Sequence, residues 1–190
     1  MKSPDAQAEV VCIKEGNCCI SLMDMSKLLD IISKVSHAIE ATSYFKGSAM
    51  SLIEDIEMAK NATIKARNSL EAFIKTIRNS SEKSFDEAFI YTMSNTLNRL
   101  VEVRNRLCRI SEVVEGTLDS VKAMVLNGIM QLDTILVRFS LIALAFAVKV
   151  KKWSRETAGV FASAIASALF ASLFSLSDNE YINETLRKCI

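Results

Sequence analysis

The chain is almost without helix breakers. One proline, Pro4, and five glycines serve 190 residues, where average usage gives roughly 9 and 13. That excludes collagen-like and Pro/Gly-rich disordered chains, and it disfavours a turn-dense β-sandwich or barrel. There is a single histidine, His37. It belongs to no recognisable Ser, Cys or carboxylate motif, so general-base chemistry has no starting point. No P-loop, G-x-G-x-x-G or G-x-S-x-G occurs, which removes the usual nucleotide and hydrolase signatures.

Charge is also scarce. Charged residues make up 24% of the chain and the net charge is +1, so no global field recruits nucleic acid. Its distribution is uneven. Residues 1–133 hold 16 basic and 18 acidic side chains, whereas residues 134–177 hold five basic and one acidic. Cysteine is present but irregular: Cys12, Cys18, Cys19, Cys108 and Cys189. An odd number without C-x-x-C spacing is a poor disulfide framework and a poor zinc site, so free thiols in a reducing compartment are expected. The polar N-terminus lacks the apolar core of a signal peptide, which makes a cytosolic start the expectation. On that footing the N-x-S/T triplets at Asn61, Asn79 and Asn183 are chance matches.

Half the residues are hydrophobic, and their spacing is helical. Residues 1–19 show no sustained period and read as a flexible leader. Ser21 is an acceptable N-cap with Asp24 at N3, and Met25, Leu28, Ile32, Val35 and Ile39 follow as one apolar stripe. A second run alternates four and three from Phe45 to Ile77, with Leu52, Ile56, Leu70 and Phe73 among its members. A third runs through Phe89, Met93, Leu100, Val103, Leu107, Ile110, Val114 and Val121 to Met124. Such heptad seams suit partner helices. The polar connection 79–84 is short enough to make the two runs an antiparallel hairpin, and Ser84 with Glu87 reads as a capping box. Gly116 and Asn127-Gly128 are the expected bends.

Some charged clusters have ordinary explanations. Arg99, Arg106 and Arg109 share a helix face, but Glu102 lies one turn before Arg106 and can pair with it. Glu54 and Glu57 sit at i, i+3 without the second cluster that a di-metal site needs. Both read as solvated helix faces.

The last third changes character. Residues 135–148 are nearly all apolar around Arg138. A basic loop follows, containing Lys149, Lys151, Lys152 and Arg155. Residues 157–177 then carry no charge. At 1.5 Å per residue, that run spans roughly 31 Å, the thickness of a bilayer core. Trp153 and Tyr181 flank it where interfacial aromatics belong, and the basic loop on its N-terminal side would leave residues 1–156 cytosolic. Gly159, Ser163, Ser167, Ala171 and Ser175 form a small-residue ridge. Phe161, Ile165, Leu169 and Leu173 form a bulky one, and Phe170 and Phe174 add aromatic bulk. Ridges of this kind allow close helix packing in a membrane or in a soluble core. The run is rich in Ala and Ser, so its hydropathy is borderline for a span.

The expected fold is all-α. An antiparallel bundle of long, heptad-patterned amphipathic helices occupies 20–128, with helices near 21–42, 45–78 and 85–126. A C-terminal hydrophobic helical hairpin over 129–177 has helices near 130–152 and 156–176, and a polar tail covers 178–190. The expected function is that of a non-enzymatic, membrane-anchored interaction or oligomerisation protein. It would associate with itself or a partner through its heptad faces, with no cofactor, metal, nucleic acid or small-molecule substrate. One alternative is a soluble bundle whose buried hydrophobic hairpin inserts into membranes on a trigger, an architecture shared with pore-forming toxins and apoptosis regulators. Another is a soluble, cytoplasmic structural bundle.

Overall fold

The computed structural model describes residues 10–13, 16–41, 49–79, 86–114 and 119–149, and single positions at 154, 156, 159, 160, 162, 163 and 187. Two short strands precede four long helices: β1 (Val10–Ile13), β2 (Cys18–Ser21), α1 (Leu22–Ala41), α2 (Ala49–Asn79), α3 (Asp86–Val113) and α4 (Asp119–Lys149). The helices pack in a cycle, α1 on α2, α2 on α3, α3 on α4 and α4 back on α1. Cross-helix pairs fix the directions. Asn95 meets Ser69 and Phe73 meets Phe89, so α2 and α3 are antiparallel. Arg104 meets Asp133 and Phe89 meets Phe146, so α3 and α4 are antiparallel as well.

The apolar periodicity explains the core. Each seam residue named above from Leu52 to Val121 is buried, except for Ile77, which is half-buried against the cluster. Among the described residues two seam positions are polar. Thr63 and Thr96 sit there because their hydroxyls donate to the carbonyls of Ala59 at 2.8 Å and Thr92 at 2.7 Å, so neither hydroxyl is an unpaired donor. Buried Ala59, Ala62 and Ala66 bring the α2 backbone close to its neighbours. At one end of the bundle four phenylalanines join three helices. Phe73 lies 4.8 Å from Phe139 and 5.8 Å from Phe89, and Phe89 lies 5.3 Å from Phe146, measured between ring centres.

Ser21 caps the N-terminus of α1, as its position before the apolar stripe implies. Its backbone N–H donates to Asp24 Oδ2 at 2.9 Å, and the Asp24 N–H donates to Ser21 Oγ at 3.3 Å, a reciprocal cap. The Ser84–Glu87 box lies partly outside the described residues.

Three features depart from the sequence reading. Residues 10–13 and 18–21, within and beside the expected leader, form an antiparallel hairpin with Val10 opposite Ser21 and Cys12 opposite Cys19. Gly16 turns it with a φ of +91°, a conformation that glycine adopts without a Cβ clash. The third helix ends at Val113 instead of running on to 126. Its period appears unbroken because Val114 and Val121 lie one heptad apart and both face the core, although only Val121 belongs to α4. The third departure is at Asn127-Gly128, which does not bend the chain. α4 continues through it to Lys149. A Cβ built on Gly128 would touch Ile31, Leu107 and Leu28 at 3.4–3.9 Å, so this glycine packs against both α1 and α3.

The cysteine expectation is corrected. Cys12 and Cys19 form a disulfide, Cys18 is also disulfide-bonded, and Cys108 is free. The seven-residue separation of Cys12 and Cys19 becomes a cross-strand pair only once the Gly16 turn is folded, and spacing alone does not reveal that.

Candidate functional site

α4 is the element with the most unusual chemistry. Its stretch 119–148 is long and apolar enough to cross a membrane, yet most of it is buried inside the bundle. Val121, Val125, Ile129, Leu132, Ile135, Leu136, Phe139, Ile142, Ala143 and Ala147 all lie in the core. A helix apolar nearly all round is either a membrane span or a core helix, and here most of its apolar side chains are covered by the other helices and both strands, with Leu126 and Val148 exposed.

One polar contact interrupts that apolar surface. Arg104 Nε on α3 donates to Asp133 Oδ1 on α4 at 2.8 Å, and the two side chains are 8% and 1% exposed. Burial pushes the Asp133 carboxyl above its usual range, while the hydrogen bond and charge of Arg104 oppose that rise. The second carboxylate oxygen, Oδ2, has no hydrogen-bond partner, and neither does Ser140 Oγ one heptad further along. Beside this pair, burial pushes the Cys108 thiol up. Arg104 counters that shift, and the Asp133 and Glu112 carboxylates reinforce it. The thiol is therefore protonated near neutrality and a weak nucleophile. The buried ion pair joins α3 to α4 across the core.

Several other charges pair at the surface. Glu102 accepts from Arg99 at 3.1 Å and from Arg106 Nη2 at 3.0 Å, and its carboxyl is held low chiefly by the Arg106 hydrogen bond. Glu57 pairs with Lys60 at 3.1 Å. His37 is exposed, 3.9 Å from Glu40. Among the described residues no group of three metal-ligating side chains is gathered.

Of the residues singled out in the C-terminal run, Gly159 and Ser163 are described, and both are exposed. Ser163 Oγ donates to the Val160 carbonyl at 2.8 Å, and a Cβ on Gly159 would meet open space. Trp153, Phe161, Ile165, Ser167, Leu169, Phe170, Ala171, Leu173, Phe174 and Tyr181 lie outside the described residues. So do Lys151, Lys152 and Arg155, while Lys149 is the last residue of α4. The sequence reading did not anticipate a 480 Å³ groove along α3, lined by Glu87, Ile90, Tyr91, Ser94, Asn95 and Asn98. Tyr91 there is 71% exposed, and its signal in the sequence is an aromatic placed off the heptad seam. In comparisons with known proteins, the chain matches no family model, no curated protein and no solved structure.

Proposed function

We propose that the protein is a non-enzymatic, membrane-anchored helical bundle that presents its outer faces to partners. One observation carries this reading. Most of the apolar surface of α4 is taken up by the core, where Asp133 is tied to Arg104. That leaves residues 157–177 as the other long apolar run, chargeless for its whole length and flanked by Trp153, Tyr181 and the basic loop. In this reading the run holds the chain at a membrane, with the bundle on the cytosolic side.

The seam side chains are buried within one chain, so self-association through them requires copies to exchange helices. Contacts that leave the bundle intact fall to outward residues such as Met58, Ile64 and Tyr91. The test is extraction of the full-length chain from membranes. Resistance to salt and alkali with release by detergent supports an anchor. A monodisperse species purified without detergent contradicts it and leaves the soluble structural bundle.

A second reading, insertion of 129–177 after a trigger, is favoured by the length and apolarity of α4. It requires the Arg104–Asp133 pair to break. Dye release from anionic liposomes across pH separates it from simple anchoring, because an anchored bundle leaves vesicles intact.

A further inference from the structure

The hairpin has two faces. Val11, Ile13, Cys18 and Ile20 point inward, with Cys18 and Ile20 fully buried and Val11 and Ile13 packed against the core. The opposite face carries the Cys12–Cys19 disulfide, where Cys12 is exposed. Both strands touch α4, and Arg78 at the end of α2 donates to the Val10 carbonyl at 2.8 Å. The hairpin thus straps the end of the bundle that holds the phenylalanine cluster.

The two strands are held unequally. β2 runs directly into the capped α1 and carries both fully buried side chains. β1 has half-buried side chains, a four-residue ladder, the Arg78 contact and the disulfide. A ladder of two four-residue strands is marginal in water without a further constraint.

We propose that Cys12–Cys19 is a redox latch: a dithiol reductant opens it, and β1 then detaches from α4 while β2 stays docked. This rests on the fold and not on the membrane assignment. A reductant thiolate attacks one sulfur of the pair, breaks the S–S bond and expels the other sulfur as a thiolate. The reductant's second thiolate resolves the mixed disulfide and forms the reductant's own disulfide. Two electrons pass to the pair, and the two protons of the reductant's thiols end on Cys12 and Cys19. The Cys19 sulfur lies 3.1 Å from the Gly16 carbonyl, so the new thiol has an acceptor in place. Exposure makes this bond the accessible one, because exposed disulfides are the labile and regulatory class. The Cys18 sulfur, on the inward face, is shielded. In a reducing compartment an exposed disulfide of this kind cycles with the thiol pool and does not persist as a permanent staple.

The test is hydrogen exchange by mass spectrometry on the full-length chain, oxidised, reduced with dithiothreitol, and as the C12S/C19S variant, which leaves Cys18 untouched. The latch is supported if β1 amides exchange faster by about tenfold or more in the reduced and variant forms while the centres of α2 and α3 keep their protection. It is overturned if β1 stays protected once alkylation shows both sulfurs reduced, or if the variant keeps β1 protected. Loss of protection in every helix together also overturns it, because the disulfide is then a global staple. Membrane extraction is read separately, so failure of the anchor leaves this result intact.

Discussion

Arg104 Nε and Asp133 Oδ1 meet at 2.8 Å inside the α3–α4 contact, with the other Asp133 oxygen unpaired. Removing one partner strands a charge in an apolar seam. R104A is expected to destabilise the bundle by about 3–5 kcal/mol, whereas R104M/D133L, which removes both charges, is expected to be neutral or more stable. Denaturant titration of the two single variants and the double variant checks the coupling.

The same pair sets a pH dependence whose sign is fixed. Burial raises the folded-state value of Asp133 above its unfolded value. The folded state therefore takes up this proton first, and the stabilisation is present below the unfolded value and lost as pH rises through the folded one. Stability measured against pH for the native chain minus D133N should fall on going from acid to neutral. Glu71 and Glu102 act in the opposite direction. Both are held low by hydrogen bonds to basic partners, Lys75 and chiefly Arg106 respectively, so their contribution is lost as pH falls.

Gly128 separates helix propensity from packing. A methyl group at this site makes ordinary contacts with Ile31, Leu107 and Leu28, so G128A should stabilise α4 by about 0.5–1 kcal/mol. G128L should destabilise instead, since overpacking costs about 1–3 kcal/mol. Thermal unfolding of the two variants should shift in opposite directions.

Phe139 is the ring that links α4 to α2 in the phenylalanine cluster, 4.8 Å from Phe73. F139A should cost about 3–5 kcal/mol through lost burial and the cavity left behind. Urea denaturation would measure this, with an unchanged m-value showing that the fold is kept.

The helices were readable because their evidence is local. Met25 to Ile39, Leu52 to Ile77 and Phe89 to Val114 show their own periods, and Ser21 with Asp24 shows a cap. What was not readable depends on contacts between distant positions. Gly116, an expected bend, lies between α3 and α4, but the period that continues across it hides that the helix ends at Val113. Gly128 resembles a bend until Ile31 and Leu107 are placed against it. Cys12 and Cys19 look unrelated until a turn sets them opposite. Neither Arg104 nor Asp133 announces its partner, because Arg106 and Glu102 close by offer equally plausible surface pairs. The α3 groove around Tyr91 depends on the same tertiary placement.

The proposed anchor places membrane binding in residues 157–177 and not in the bundle. Liposome flotation of the full-length chain beside a chain ending at Lys152 separates the two. The expected result is that the full-length protein floats with the vesicles and the shortened one stays in the buffer with its helical circular dichroism retained. A shortened chain that still floats, or a full-length chain that stays in the buffer, would contradict it.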